Sequence, residues 1–181
     1  MDIPKIKFTT LQLEIFRLFC IKTGEKLNQR KIAKFLKVTP TAVAKALPSL
    51  EKENLIKINR SKEMNLNLIE FNRENNLAVN LKRAENLKLF YETELSDFLI
   101  NNHPGCTIIL FGSYAKGEDT TKSDLDLAII GIKNKKLDLK EFEKKLEKEI
   151  RVNYYKTFKE INKNLKENLC NGIVIQGGIE L

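Results

Sequence analysis

Apolar residues recur at helical spacing through the first fifty positions. Leu11, Ile15, Leu18 and Phe19 predict a helix over 9–22, closed by Thr23-Gly24. Ile32, Phe35 and Leu36 predict a second over 28–36. Val38-Thr39-Pro40 then opens a third. Thr39 can cap it, and Pro40 suits the first helical position, where its missing N–H would have had no partner. Over 40–53 this helix turns Val43, Ala46, Leu47 and Leu50 inward and leaves Thr41, Lys45, Ser49 and Lys52 outward. Pro48 removes the bond to Ala44 and is expected to bend it.

The period then shortens. Positions 55–59 and 65–71 read as two strands around the charged tip Arg60-Ser61-Lys62-Glu63, and Asn65-Leu66-Asn67-Leu68 alternates at period two. One long helix is predicted over 77–102, ended by His103-Pro104-Gly105. Beyond it come strands at 107–111, 125–130, 150–155 and 172–176, with helices over 137–149 and 157–169. The polar stretch at 72–76 (NRENN) marks a boundary, dividing the chain into 1–71 and 72–181.

Charge sharpens this division. The net charge is +8. Residues 1–71 hold 14 Lys and Arg against 7 Asp and Glu, whereas residues 72–181 hold 18 against 17. The excess therefore lies in the helical part, which suits a polyanion such as duplex DNA and equally suits ordinary solvated lysines. With 42% hydrophobic and 31% charged residues the chain reads as a soluble, packed protein. No apolar run reaches membrane-spanning length and the N-terminus lacks the apolar core of a signal peptide, so a cytoplasmic setting is expected. Cys20, Cys106 and Cys170 are odd in number and widely spaced, which argues against a disulfide framework or a zinc site.

Candidate chemistry concentrates in IILFGSYAKGEDTTKSDLDLAII, Ile108 to Ile130. An apolar strand runs into Gly112-Ser113. Ten residues later comes a strand bearing Asp124 and Asp126. Glycine lets backbone approach a ligand closely, and serine adds a hydroxyl and an N–H for phosphate oxygens. Two residues apart on a strand, Asp124 and Asp126 share a face, and paired carboxylates are what Mg²⁺ needs beside a substrate phosphate. A solvated turn with two surface aspartates is the plainer reading, which the upstream Gly-Ser weighs against.

These residues resemble the nucleotidyltransferase superfamily that includes DNA polymerase β, and especially its minimal prokaryotic members, over about 77–181. Three helices followed by a hairpin resemble a winged helix-turn-helix over about 9–71, on the string LNQRKIAKFLKVTPTAVAKALPSLEKENLIKI. Together they imply an α/β (α+β) nucleotidyltransferase fold with a mixed sheet, preceded by a small winged helix-turn-helix domain.

The first resemblance implies that Gly112 and Ser113 hold the phosphates of an NTP, expected to be ATP, and that Asp124 and Asp126 ligate Mg²⁺, two ions in the active form. Lys116 could contact phosphate or simply cover the surface. Ser123 reads equally as a cap or a ligand. Members of this superfamily usually add a third carboxylate from a later strand, and Asn153 stands there, with Glu149 as a possible substitute. An amide oxygen can coordinate a metal but is a poor base. The winged helix implies DNA contacts from Thr39, Thr41, Lys45, Lys52, Arg60 and Lys62, or else a docking or dimerisation role. Two functions follow. One is Mg²⁺-dependent transfer of an NMP, AMP by expectation, to a protein or nucleic-acid hydroxyl, with a helical protein partner, such as a toxin, as one possible acceptor. The other is a DNA-binding regulator whose degenerate nucleotidyltransferase domain senses nucleotide. His103 reads as a turn residue, Tyr154-Tyr155 as strand packing, and Lys133-Asn134-Lys135-Lys136 as a loop that could also hold acceptor phosphate.

Overall fold

The computed structural model describes residues 8–61 and 66–179. The chain divides into two compact units, Met1–Val79 and Asn80–Leu181, and the division falls inside a helix rather than in the polar stretch before it.

In the first unit, α1 (Thr10–Ile21), α2 (Gln29–Leu36) and α3 (Pro40–Lys52) precede the antiparallel pair β1 (Ile56–Ser61) and β2 (Leu66–Phe71). Each helix start has a local cause. Thr9 and Gln12 form a reciprocal capping box on α1, Asn28 accepts from the Lys31 N–H, and Thr39 accepts from the Ala42 N–H ahead of Pro40. The α3 helix runs on past Pro48, with Val43, Ala46, Leu47 and Leu50 buried. Leu27 and Ile69 exchange both backbone hydrogen bonds, adding a one-residue bridge to the hairpin. This is the winged-helix order anticipated from the residue pattern. The wing-tip residue Lys62 lies outside the described residues.

In the second unit a four-stranded mixed sheet has the order β5-β4-β3-β6. The strands are β3 (Thr107–Phe111), β4 (Leu125–Ile130), β5 (Ile150–Tyr155) and β6 (Ile173–Gln176). Strand β4 runs antiparallel to β3 and parallel to β5. One sheet face buries Ile108, Leu110, Leu125, Leu127 and Ile129 against Phe90, Leu95 and Leu99. The other buries Ile109, Phe111 and Ala128 against Phe158, Ile161 and Leu169.

Three predicted helices are corrected. The single helix over 77–102 is two, α4 (Asn76–Glu92) and α5 (Leu95–Asn102), broken at Thr93-Glu94. The Thr93 hydroxyl donates to the Phe90 carbonyl and Glu94 takes a left-handed φ of +64°, which turns the chain so that Leu95 and Leu99 meet the sheet. The helix expected over 137–149 is only α7 (Lys140–Leu146), ended by Glu147 at φ +52°. The one expected over 157–169 splits into a 3₁₀ turn, Phe158–Glu160, and α8 (Lys163–Cys170), started by the Asn162 cap. A short α6 (Gly112–Lys116) fills the start of the segment read as polar and irregular.

Candidate active site

Strand β3 ends against the side chains of the next strand. Phe111 pairs with Asp126, so Gly112 follows directly beside the Asp126 carboxylate. Gly112 has φ +75°, and a Cβ there would stand 2.5 Å from Asp126 Oδ2. Both the backbone conformation and the close approach therefore require glycine. Among the described residues the Ser113 hydroxyl makes no hydrogen bond to the protein; its carbonyl accepts from the Glu118 N–H.

Asp126 lies on β4 and Asp124 immediately ahead of it, near enough for their charges to interact, while Leu125 and Leu127 are fully buried on the other face. Burial raises the Asp126 carboxyl above the ordinary aspartate range and the Asp124 charge adds to this; Arg151 acts the other way. Such a carboxylate gains from any cation brought to it.

The strand register decides what faces this pair, and it differs from the sequence expectation. The residue opposite Asp126 on β5 is Arg151; Asn153 sits opposite Ala128, two positions further along. The Asn153 amide donates to the Leu127 carbonyl at 3.3 Å, so its donor side is engaged by the sheet. Arg151 Nη1 lies 2.9 Å from Asp124 Oδ2, and its Nε is 3.6 Å from Glu149 Oε1. The Glu149 carbonyl accepts the Leu125 N–H, while its side chain is exposed. Sequence reasoning passed over Arg151, although it lies between Glu149 and Asn153 at the even spacing that puts all three on one face.

The loop joining Gly112-Ser113 to Asp124 is anchored by a buried charge cluster that no local pattern revealed. Asp119 and Lys82 are fully buried and paired at 2.8 Å. Lys148 Nζ lies 2.9 Å from Asp119 Oδ2 and donates to the Thr120 carbonyl at 2.7 Å. The Lys148–Asp119 contact is an ion pair without hydrogen-bond alignment, since Asp119 Oδ2 has no hydrogen-bond partner. Asn86 donates to Asp119 Oδ1 at 2.7 Å and to the Tyr114 carbonyl at 2.9 Å. Ser123 locks the last turn before β4, its hydroxyl accepting from the Thr120 N–H at 3.0 Å.

Other singled-out residues have structural roles. His103 is buried, with Nδ1 2.9 Å from the Leu99 carbonyl and Nε2 3.2 Å from the Tyr154 hydroxyl. Lys135 donates to the Asn102 carbonyl and side chain. Cys20 and Cys106 are buried free thiols, and Cys170 is an exposed one. No helix among the described residues is long and apolar enough to cross a membrane. In the first unit Thr41, Lys45 and Lys52 are exposed on α3 and Arg60 is exposed near the end of β1, while the Thr39 hydroxyl is used in capping.

Residues 92–175 match the family described as nucleotidyltransferase domain, and residues 12–63 match the MarR family. The chain thus carries a MarR-type winged helix followed by a nucleotidyltransferase domain. No curated protein matches it. Among solved structures it is similar to ZitR of Lactococcus lactis, a zinc-responsive MarR family member, at 28% identity and a TM-score of 0.39. That similarity covers 52% of this chain and 65% of ZitR, under two thirds of its length. It is also similar to the adhesin competence repressor AdcR of Streptococcus pyogenes, at 20% identity and a TM-score of 0.43, covering 55% of this chain and 69% of that one. A third similar structure is an S. aureus MepR–DNA complex, at 23% identity and a TM-score of 0.40, covering 52% and 74%.

Proposed function

We propose that the second unit binds a metal–NTP complex at Gly112, Ser113, Asp124 and Asp126 and transfers its NMP, AMP from ATP, to a hydroxyl on a protein or nucleic acid, with pyrophosphate leaving as the α–β phosphoanhydride bond breaks. The observation that carries this reading is the left-handed Gly112 packed against Asp126, with Asp124 near enough to interact. The open Ser113 hydroxyl and the glycine backbone receive the terminal phosphates, and the nucleotide is held with its α-phosphate toward the acceptor.

The donor set fits one hard cation. Carboxylate oxygens suit Mg²⁺, which commonly takes one or two carboxylates and completes its shell with water and substrate phosphate. Among the described residues there is no cluster of three His, Cys, Asp or Glu groups, so the second ion of the expected pair finds no third carboxylate. Bound there, Mg²⁺ would supply charge stabilisation at the phosphates. Asp124 and Asp126 would hold it; neither Arg151, which stands opposite Asp126, nor Asn153 beyond it can take the proton of the acceptor hydroxyl.

That last point favours a second reading, a DNA-binding regulator whose nucleotidyltransferase domain senses nucleotide without turnover. Incubating the protein with labelled ATP, Mg²⁺ and native cell extract separates the two. Transfer of label to an acceptor, abolished in Asp124→Ala/Asp126→Ala, is the expected result. ATP binding without transfer supports the sensor, and no binding of any NTP overturns the site.

For the first unit we propose duplex DNA as partner, read by α3 through Thr41, Lys45 and Lys52, with Arg60 and Lys62 near phosphates. Thr39 serves through its capping of the helix. The excess of 14 basic over 7 acidic residues in 1–71 supports this. A gel-shift titration on generic duplex should show binding that weakens steeply as salt rises. Salt-independent binding, or none at low salt, would leave the module as a protein-docking surface.

A further inference from the structure

Arg151 occupies a position that the site as so far described leaves without a role. It lies on β5, the edge strand of the sheet, directly opposite Asp126. Its guanidinium is held by Asp124 at 2.9 Å and approached by Glu149 at 3.6 Å. The Arg151 side chain is 57% exposed and that of Asp124 only 25%. The guanidinium therefore lies on the solvent side of Asp124 and has open space to leave by.

We propose that Arg151 is the resident counter-cation of the carboxylate pair, and that it moves from Asp124 to a phosphate oxygen of the nucleotide when a divalent cation takes the carboxylates. The inference rests on the metal–nucleotide reading above. Three physical points lead to it. Two neighbouring like charges need a cation nearby when no metal is bound, and Arg151 pairs with Asp124 while its charge also acts on Asp126. The pair it forms is open to solvent on the arginine side, so it is readily exchanged. A guanidinium presents a planar fork of donors that fits phosphate as well as carboxylate, so the same group can serve both partners in turn. Metal and Arg151 compete for Asp124, whereas triphosphate and Arg151 attract.

The two halves predict opposite effects of one substitution. Arg151→Met in the full-length protein should bind Mn²⁺ alone roughly three- to tenfold more tightly than the wild type. It should bind inorganic triphosphate in saturating Mn²⁺ about tenfold more weakly. Both are read by titration calorimetry, with triphosphate chosen because it does not depend on the base. Arg151→Lys, which keeps the charge but not the fork, should leave Mn²⁺ affinity near wild type and recover only part of the triphosphate affinity. Unchanged or weaker Mn²⁺ binding in Arg151→Met overturns the counter-cation role. Unchanged triphosphate binding overturns the transfer. If the wild type binds Mn²⁺ and Asp126→Ala abolishes it, either failure concerns Arg151 alone. If neither wild type nor Arg151→Met binds Mn²⁺, the site reading itself falls.

Discussion

Asp119→Ala is expected to destabilise the second unit by about 3–5 kcal/mol, the range found when one partner of a buried ion pair is removed. Lys82 and Asp119 are both fully buried, and the Lys148 side chain is nearly so. Without Asp119 the buried Lys82 and Lys148 ammonium groups would lose the carboxylate they share. Asn86 would also lose one of its two acceptors. In a unit of this size each kcal/mol is worth about 4–8 °C, so the melting temperature should fall by more than about 10 °C. Lys148→Met provides the contrast. It keeps the pair between Lys82 and Asp119 and removes a cation that lacked an aligned bond to Asp119, so the loss is confined largely to its bond to the Thr120 carbonyl and a smaller effect is expected. Thermal or urea unfolding of both variants tests the assignment. A loss under about 1 kcal/mol for Asp119→Ala would show that water or relaxation compensates the lysines.

Gly112→Ala is expected to cost about 1–2 kcal/mol of stability, yet to lower nucleotide affinity by about tenfold or more. The stability term reflects an L-residue held at φ +75°. The affinity term has a separate origin. The new Cβ would fall 2.5 Å from Asp126 Oδ2, so the carboxylate must swing aside, because it is the movable partner. The position that would receive the metal and the terminal phosphates then changes together with the backbone N–H groups beside it. Calorimetry with Mn²⁺ and ATP, alongside an unfolding curve, separates the two effects. Wild-type nucleotide affinity in a folded Gly112→Ala protein would place the phosphate contacts elsewhere.

Much of this architecture was legible in the residues themselves. Strands β4 and β5 begin and end where alternation placed them, at Leu125–Ile130 and Ile150–Tyr155. Thr39-Pro40 starts α3 as its capping chemistry demands. The two-residue repeat of a strand, a local rule, predicts Asp124 and Asp126 on one face, and although β4 begins only at Leu125 the two carboxylates are near enough to interact. The helical breaks were less legible. Apolar periodicity continues through Thr93 and Glu94, and only the packing of Leu95 and Leu99 on the sheet makes a left-handed turn there favourable.

The motif from Gly112 to Asp126 and the winged-helix order ahead of it were therefore determined by the sequence, since both rest on short-range chemistry. Which charges meet was decided by the tertiary structure. The β4–β5 register sets Arg151, not Asn153, opposite Asp126, and a shift of two positions along β5 would have reversed this. Lys82, Asp119 and Lys148 come from three separate segments and converge only when α4, the loop after α6 and the chain before β5 close around one another. Pairing across such distances follows from how the elements pack, and no spacing within a single segment encodes it.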